Sequence, residues 1–207
     1  MTEQLAERLY LMDDEELGIK RNLFPRFLID RMINRYKKTI DLVGVTGGRW
    51  LDAGCGSGYG TSMANMVADY IIGIDNSSSA ILYAKKHYGS YNIQFWHDNI
   101  ETVKFQMNSF LDVILCVEVI EHLQNPISVI KKFASWLKDG GILVLTTPLA
   151  DNSPVNPYHK YEFTAIELRD LLNNCFSEVD IQIEKPQLFT DGRMTKQMLA
   201  RGIKKRH

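Results

Sequence analysis

The sequence predicts an α/β fold in which a doubly wound, mainly parallel sheet of the seven-stranded type carries helices on both faces. Short apolar runs alternate with helical stretches along the chain, which is the order of a parallel sheet with crossover helices. The central runs are apolar without alternation, as expected for strands that helices bury on both sides. With 207 residues, of which 45% are hydrophobic and 24% charged, the chain is long enough to bury one large core.

Apolar runs place the strands of this sheet, and helical patterns place the segments between them. The strands are expected at Arg49 to Ala53, Tyr70 to Asp75, Asn92 to Trp96, Leu111 to Val117, Gly141 to Thr147 and Phe176 to Ile183. The helices are expected at Phe24 to Val43, Ser77 to Tyr88, Pro126 to Leu137, and from Thr164, where Glu167 completes a capping box. Pro186 interrupts the hairpin expected after the sixth strand, so the final strand is predicted to be short or missing.

The chain is expected to divide into three segments. Residues 1–45 are an N-terminal helical segment, residues 46–190 are the core, and residues 191–207 are a basic C-terminal tail. From Arg193 onward the tail has six Lys or Arg residues and no acid, with Met194, Met198 and Leu199 on one helical face. Such a terminal run is typical of a solvated tail, and attraction to an anionic substrate is the weaker interpretation.

Composition narrows the classes of partner. A net charge of −1 gives no general attraction to nucleic acid or to an anionic membrane. The three cysteines form neither a disulfide framework nor a paired zinc-binding spacing, which fits a reducing compartment. We find no apolar run long enough for a signal or a membrane span. A cytoplasmic location without membrane contact is therefore expected, and nucleic acid is not the expected partner.

The first predicted strand breaks into a glycine-rich turn, with the sequence Arg49-Trp-Leu-Asp-Ala-Gly-Cys-Gly-Ser-Gly-Tyr-Gly60. Gly54 and Gly56 allow positive φ and leave the backbone amides bare, while Gly58 lets a helix start close to the strand. Asp52 at the strand end would repel a pyrophosphate but attract an ammonium group. The turn therefore favours a zwitterionic ligand, and an ordinary tight turn between strand and helix is the weaker alternative.

Two further strands also end in acids. Asp75 lies about twenty residues beyond the glycine turn. A carboxylate at this position is placed to accept hydrogen bonds from both hydroxyls of a ribose, and Asn76 lies beside it. After the third strand, Asp98 is placed to accept from an adenine amine and Ile100 to lie against the ring. Singly, each acid is also typical of a turn or a helix cap. Three acids at three successive strand ends favour a nucleoside-containing cofactor.

These motifs, in this order, resemble those of the class I S-adenosylmethionine-dependent methyltransferases, which have a Rossmann-like fold. The resemblance covers about residues 45–150 and includes Asp112-Val-Ile-Leu-Cys-Val-Glu-Val-Ile-Glu-His-Leu123. The last six residues of this string resemble the Glu-Val-Ile-Glu-His-Leu motif of bacterial small-molecule and glycan O-methyltransferases. The resemblance as a whole implies S-adenosyl-L-methionine as the cofactor, with residues 1–45 as a partial lid over it. The residues it implies for the methionine part are Asp52, Ala53, Gly54, Cys55, Gly56 and Gly58; for the ribose, Asp75 and Asn76; for the adenine, Asp98, Asn99 and Ile100; and for the sulfonium, Cys116, Val117 and Glu118.

Glu118-Val-Ile-Glu-His122 directly follows the fourth strand, so these side chains are expected near the reacting methyl group. His122 is a candidate general base for a hydroxyl, Glu121 a candidate to orient it, and His159 a further candidate catalytic residue. An equally weighted alternative is that the glutamates bond to loop amides and His122 closes the turn. We assign no metal ligand, and expect O-methylation of a sugar or another small metabolite.

Two other functions stay open. Glu118, Glu121, His122 and His159 together resemble the metal site of the small-RNA 2′-O-methyltransferases, in which a divalent ion holds the terminal ribose. The near-neutral charge and the absence of a recognisable RNA-binding module disfavour that interpretation. A methyltransferase-like protein that binds the cofactor without catalysis is the third hypothesis, and titratable side chains at the sheet edge disfavour it.

The loop from Leu149 to Tyr161 is the candidate cap over the acceptor. It is rich in turn residues, and Tyr158, His159 and Tyr161 supply groups suited to a sugar or phenol. The alternative is a surface connection whose tyrosines pack inward.

Overall fold

The computed structural model describes residues 26–104, 109–150, 158–188 and 194–206. The helices are α1 (Arg26–Val43), α2 (Tyr59–Ala64), α3 (Ser78–Tyr88), α4 (Pro126–Trp136) and α5 (Ala165–Asn173), with a 3₁₀ turn at Ile120–His122. The strands are β1 (Arg49–Ala53), β2 (Tyr70–Asp75), β3 (Ile93–His97), β4 (Leu111–Val117), β5 (Leu137–Pro148), β6 (Phe176–Ile183), β7 (Gln187–Leu188), β8 (Met194–Thr195) and β9 (Gln197–Lys204).

Seven strands form one sheet in the order β3-β2-β1-β4-β5-β9-β6. The first five run parallel to their neighbours, and β9 is antiparallel to both β5 and β6. The predicted doubly wound α/β class is confirmed. Because the carboxyl ends of parallel strands lie at one edge, the strand-end acids named above are collected there.

Consecutive residues of the central strands are buried on opposite faces of the sheet. Leu51 lies in the apolar cluster that contains Phe133 of α4, while its neighbour Trp50 lies in the cluster that contains Ile81 of α3. Trp50 and Leu51 are both fully buried. Helices therefore cover both faces, which explains why the central strands lack a polar alternation.

Local signals fix the helix starts. Thr164 and Glu167 form the predicted capping box, with the Glu167 amide donating to the Thr164 hydroxyl at 3.2 Å. At α4, the Asn125 side chain accepts from the Ser128 amide at 2.9 Å and Pro126 occupies the first turn. These caps satisfy amide groups that the helices leave without internal partners.

The prediction of a short or missing final strand is wrong, because part of the predicted C-terminal tail is a strand of the sheet. Gln197–Lys204 form an eight-residue strand between β5 and β6. Met198 and Leu199 are buried on opposite faces of the sheet rather than side by side on a helix. Lys204 is also buried, and its ammonium donates to the Leu137 carbonyl at 2.7 Å and lies 3.4 Å from Asp139.

Helix α1 lies against the sheet edge where the predicted site is. Tyr36, Thr39 and Val43 are buried along one face of this helix, and its contacts reach β4, β5, β9 and α2. Of the predicted N-terminal segment, residues 1–25 lie outside the described part of the chain. Across the described ranges, no helix has both the length and the apolar composition of a membrane span.

Candidate functional site

The glycine turn after β1 has the predicted geometry. Gly54, Gly56 and Gly58 have φ of 81°, 53° and 86°, values that strongly favour glycine. The Gly54 and Cys55 amides both donate to the Ile74 carbonyl, at 2.8 and 2.9 Å, which fixes the turn to the end of β2. A Cβ at Gly54 would lie 2.3 Å from Val119, whereas one at Gly56 would meet nothing within 4 Å. The backbone at Gly56 therefore faces open space.

Asp75 ties this turn to the end of β2. One carboxylate oxygen accepts from the Gly56 amide at 2.9 Å, and the other accepts from the Ser77 amide at 2.8 Å. The residue is 5% exposed. Each carboxylate oxygen has more than one acceptor position, so these bonds are compatible with further bonds to ribose hydroxyls. Asn76 follows directly and is exposed.

Asp52 at the end of β1 is fully buried. Its carboxylate accepts from the Thr61 hydroxyl at 2.7 Å and from the Tyr36 hydroxyl at 3.1 and 3.2 Å. Burial raises the pKa of Asp52 from 3.8 to about 6, although both hydrogen bonds oppose the shift. Among the described residues, no cation forms an ion pair with this carboxylate. The site therefore holds a buried acid that a cationic ligand group would stabilise.

Helix α1 covers this end of the site through Tyr36. A Cβ at Gly60 would lie 2.2 Å from the Tyr36 ring, so the ring lies directly on the α2 backbone. The ring also meets Tyr59 edge-on, with centroids 5.2 Å apart. Tyr36 is not among the site residues predicted from the sequence. The signal that could have indicated it is its hydroxyl, because a buried tyrosine hydroxyl requires a partner.

Glu118 follows β4 in a left-handed conformation, with φ of 56°, which is uncommon outside glycine. Its carboxylate accepts from Arg35 at 3.0 Å and from the Thr146 hydroxyl at 2.7 Å. The Gln197 side-chain amide also donates to it, at 2.9 Å. Cys116 and Val117 before it are buried in the strand. Glu118, the last of the residues predicted near the sulfonium, is thus held by side chains from α1, β5 and β9.

The residues predicted for the adenine form a turn after β3. The Asp98 amide donates to the Asp75 carbonyl at 3.1 Å, which brings the two predicted regions together. The Asp98 side chain accepts from the Asn99 amide at 2.7 Å, and the Asn99 side chain accepts from the Glu101 amide at 2.8 Å. Ile100 is buried in the core. These local bonds also fit the alternative role of turn residues.

The three candidate catalytic residues lie close to one another. One ligand-type atom from each of Glu121, His122 and His159 lies within 4.8 Å of the others. The two imidazoles meet edge-on, with centroids 5.1 Å apart. His159 is brought here by its own loop segment, because the backbone amides of Lys160 and Tyr161 donate to the Glu121 carbonyl at 2.7 and 3.1 Å.

The two histidines differ at Nδ1. His122 Nδ1 lies 3.1 Å from the Tyr158 carbonyl, whereas His159 Nδ1 is buried without a hydrogen-bond partner among the described residues and lies 3.4 Å from the Glu162 carboxylate. Burial lowers the pKa of His159, and His122 adds to that effect, while Glu162 and Glu118 oppose it. The Tyr158 carbonyl can only accept, so in neutral His122 the proton is on Nδ1 and the lone pair is on Nε2. The group is suited to accept a proton or to bind a metal ion.

Glu121 is 1% exposed and accepts from the Thr147 hydroxyl at 3.2 Å. Of the predicted acceptor loop, residues 151–157 lie outside the described part of the chain. Tyr161 is half-exposed, and its ring stacks on Phe163 with centroids 6.0 Å apart. The part of the loop that can be described therefore reaches the candidate catalytic residues.

Known proteins are similar to this chain in sequence and in fold. A family model described as a methyltransferase domain matches residues 25–206. A probable S-adenosylmethionine-dependent methyltransferase of Mycolicibacterium smegmatis is 30% identical over 63% of this chain and 52% of its own length. A ubiquinone biosynthesis O-methyltransferase of Glaesserella parasuis is 34% identical over 50% of this chain and 47% of its own length. The chain spans about half the length of the curated relatives it matches.

Solved structures share the fold at lower sequence identity. The N-methyltransferase NodS of Bradyrhizobium japonicum, in complex with S-adenosyl-L-homocysteine, has a TM-score of 0.71 at 21% identity, with 97% of each chain covered. The 1,6-didemethyltoxoflavin-N1-methyltransferase of Burkholderia thailandensis has a TM-score of 0.67 at 17% identity, over 83% of this chain and 79% of that one. These likenesses establish the fold.

We predict that Asp52→Asn removes a pH-dependent part of the stability. Because the pKa of Asp52 is raised to about 6 in the folded protein, its contribution is fully present below pH ~4 and is lost as the pH rises through 6. The free energy of unfolding of the wild type should therefore fall, relative to the variant, by about 3 kcal/mol between pH 4 and pH 7. Urea unfolding at both pH values measures this difference.

Asp69→Asn serves as the control, because Asp69 is exposed at the opposite end of β2. If the difference between the wild type and Asp52→Asn is the same at both pH values, the buried carboxylate does not titrate as described.

Proposed function

The chain belongs to the methyltransferase domain family, and we propose that it uses S-adenosyl-L-methionine to methylate a hydroxyl of a sugar or another small metabolite. The observation that carries this proposal is the arrangement of residues at the carboxyl edge of the sheet. A bare glycine turn lies between two buried acids, Asp52 and Asp75, and a base candidate follows the neighbouring strand.

The residues present fit this cofactor. The Asp52 carboxylate has no ion-pair partner in the described chain, which suits the ammonium of the methionine part. The space in front of Gly56 leaves room for a ligand close to the backbone, and Asp75 next to it suits the ribose. When bound, S-adenosyl-L-methionine supplies a methyl group on a positively charged sulfur.

His122 is the proposed general base. Its Nδ1 faces the Tyr158 carbonyl, so Nε2 is the nitrogen that takes the proton of the acceptor hydroxyl. Glu121 precedes it in the same 3₁₀ turn and is held by Thr147, which makes Glu121 a positioning residue. His159 lies against the His122 ring, and its lowered pKa favours a neutral imidazole at this site.

Two observations support a hydroxyl acceptor. A hydroxyl must lose its proton as it attacks, so a site with an imidazole base suits oxygen. Among the curated relatives, those from Glaesserella parasuis and Xanthomonas campestris are named ubiquinone biosynthesis O-methyltransferases. Tyr161, whose ring stacks on Phe163, supplies an aromatic surface for a sugar or phenol.

The cofactor assignment predicts that S-adenosyl-L-homocysteine binds and that Asp75→Ala weakens this binding about tenfold or more, because charge-assisted hydrogen bonds to the ribose are lost. Titration calorimetry measures both affinities. Asp69→Ala, at the other end of β2, is the matched control and should bind like the wild type. The assignment fails if the wild type shows no heat of binding at protein concentrations of about 0.1 mM.

Turnover separates an enzyme from a protein that binds the cofactor without catalysis. Metabolite extracts and sugar nucleotides, incubated with methyl-labelled cofactor, should yield a labelled small molecule.

The second candidate is metal-assisted 2′-O-methylation of RNA. The observation that favours it is the group of Glu121, His122 and His159, whose mixed oxygen and nitrogen donors suit manganese or zinc. The acceptor at His122 Nδ1 is also the usual support of a metal-binding histidine. Against it, Glu118 lies outside this group and is engaged by Arg35. Three of the four residues in the resemblance are therefore brought together.

The two candidates predict opposite responses to a chelator. If His122 acts as a base, methyl transfer should be unchanged by EDTA and should fall about a hundredfold or more in His122→Ala. If a metal ion is needed, transfer should vanish with EDTA and return with Mn²⁺. The assay uses the acceptor found in the metabolite screen and, in parallel, a short RNA.

His87→Ala is the control for these experiments, because His87 stacks on Tyr83 in α3, away from the three residues. Activity that is insensitive to chelator and unchanged in His122→Ala would contradict both roles.

A further inference from the structure

Glu101, in the turn after β3, reaches across to the segment that carries His122. One oxygen of its carboxylate accepts from the backbone amides of Gln124 and Asn125, at 3.0 and 2.9 Å. These two residues lie shortly after His122 in the chain. Hydrogen bonds to an ionised carboxylate are stronger than those between neutral groups. The turn predicted for the adenine is therefore bonded directly to the end of the segment with the candidate base.

The bonds from Glu101 are not the cap of α4. The Asn125 side chain already caps this helix by accepting from the Ser128 amide at 2.9 Å, and Pro126 in the first turn has no amide hydrogen. The two amides that donate to Glu101 lie before the first residue of the helix. Glu101 therefore fixes the connection between the 3₁₀ turn and α4.

A second group joins the same turn to α4. The Lys132 ammonium donates to the carbonyls of Ile100, Glu101 and Val103, at 3.2, 2.6 and 3.4 Å. Burial lowers the pKa of Lys132, and the negative charges of Glu101 and Asp98 oppose this shift. Helix α4 therefore binds the backbone of the turn as well as the Glu101 side chain.

Local bonds close the turn itself. The Asn99 carbonyl accepts from the Val103 amide at 2.8 Å, and the Asn99 side chain accepts from the Glu101 amide at 2.8 Å. Ile100 of this turn and Ile120 of the 3₁₀ turn are buried in the same apolar cluster. Because the turn is closed and packed, a displacement of Asn99 moves Glu101 with it.

The segment with His122 has other supports, which lead elsewhere. At its start, the Glu118 carboxylate is bound by side chains of α1, β5 and β9. In its middle, the Glu121 carbonyl accepts from the Lys160 amide at 2.7 Å. Of these supports, the bonds to Glu101 are the ones that reach the turn predicted for the adenine.

We propose that Glu101 is a positioning residue that sets the place of His122 relative to the adenine of the cofactor. This inference rests on the function proposed above. An adenine held by Asp98 and Asn99 fixes the turn, and the Glu101 carboxylate fixes the segment with the base against that turn. The base must reach the acceptor hydroxyl while the methyl group is in line with it, so a misplacement of about 1 Å costs as much as a hundredfold in rate.

The first experiment separates turnover from binding. Glu101→Ala should lower kcat for the acceptor found in the metabolite screen about tenfold to hundredfold, because His122 is no longer held in place. Its affinity for S-adenosyl-L-homocysteine, measured by titration calorimetry, should stay within about threefold of the wild type, because Lys132 still holds the turn. Glu101→Gln keeps an oxygen that accepts from the two amides and should recover most of the turnover.

Asp112→Ala is the matched control. Asp112 lies at the opposite end of β4, where its carboxylate accepts from the Arg49 amide at 2.8 Å and pairs with Lys138. This variant also removes a carboxylate that binds the backbone, but it should keep the wild-type kcat. Glu101→Asp keeps the charge on a shorter side chain and should also lower kcat, which provides a second measurement if Glu101→Ala does not fold.

The second experiment follows His122 without an acceptor. The probe is adenosine, which carries the adenine and ribose of the cofactor without its methionine part. In the wild type, adenosine should shift the imidazole NMR resonance of His122, which is assigned by its loss in His122→Ala. Glu101→Ala should still bind adenosine, but the shift of the His122 resonance should be clearly smaller.

The outcomes separate this inference from the proposed function. An unchanged kcat in Glu101→Ala, or an equal fall in Asp112→Ala, overturns the role of Glu101 and leaves the cofactor assignment standing. A loss of cofactor affinity at unchanged kcat also overturns it, because Glu101 then acts on the adenine site alone. The same is true if adenosine shifts the His122 resonance equally in Glu101→Ala and the wild type. If neither adenosine nor S-adenosyl-L-homocysteine binds the wild type, the proposed function itself fails.

Discussion

The buried carboxylate of Asp52 is the constraint on which the rest of the site depends. It lies at the end of a fully buried strand, held by two hydroxyls and by no cation of the described chain. Such a group is unfavourable unless a positive charge joins it. The Tyr36 hydroxyl of helix α1 donates a hydrogen bond to this carboxylate, and this contact holds the helix against the glycine turn. A ligand ammonium would satisfy it better, and cofactor affinity should then fall below pH ~6 as the carboxylate is protonated.

The parallel sheet supplies the other half of the geometry. Strands β1, β2 and β4 end at one edge, so Asp52, Asp75 and Glu118 are neighbours although they are far apart in sequence. Hydrogen bonds from backbone amides to Asp75 and Ile74 hold the glycine turn against this edge. The histidines are placed in the same way, because His122 lies in the turn after β4 and His159 lies beyond the end of β5. The carboxyl edge of the sheet thus collects the glycine turn, Glu118 and the two imidazoles.

Most of the fold was predictable from local signals. Unbroken apolar runs located the central strands, and the glycine turn, the capping box of α5 and the strand-end acids were visible as short motifs. The grouping of Glu121 with His122 follows from their adjacency, whereas His159 joins them through long-range bonds to the Glu121 carbonyl. Strand β9 was missed because its pattern of Lys and Arg is that of a solvated tail, and only pairing with β5 and β6 reveals it. Arg35 and Gln197 were missed because their partner, Glu118, is distant in sequence.

We propose that the buried acid at the end of β1 receives the ammonium of S-adenosyl-L-methionine. The direct measurement is the ¹³C carboxyl resonance of Asp52, assigned by its loss in Asp52→Asn and followed against pH with and without S-adenosyl-L-homocysteine. Without ligand, the pKa should lie near 6. With saturating ligand it should fall well below that value, because a cation now faces the carboxylate. A pKa that stays near 6 in the saturated protein would contradict the account.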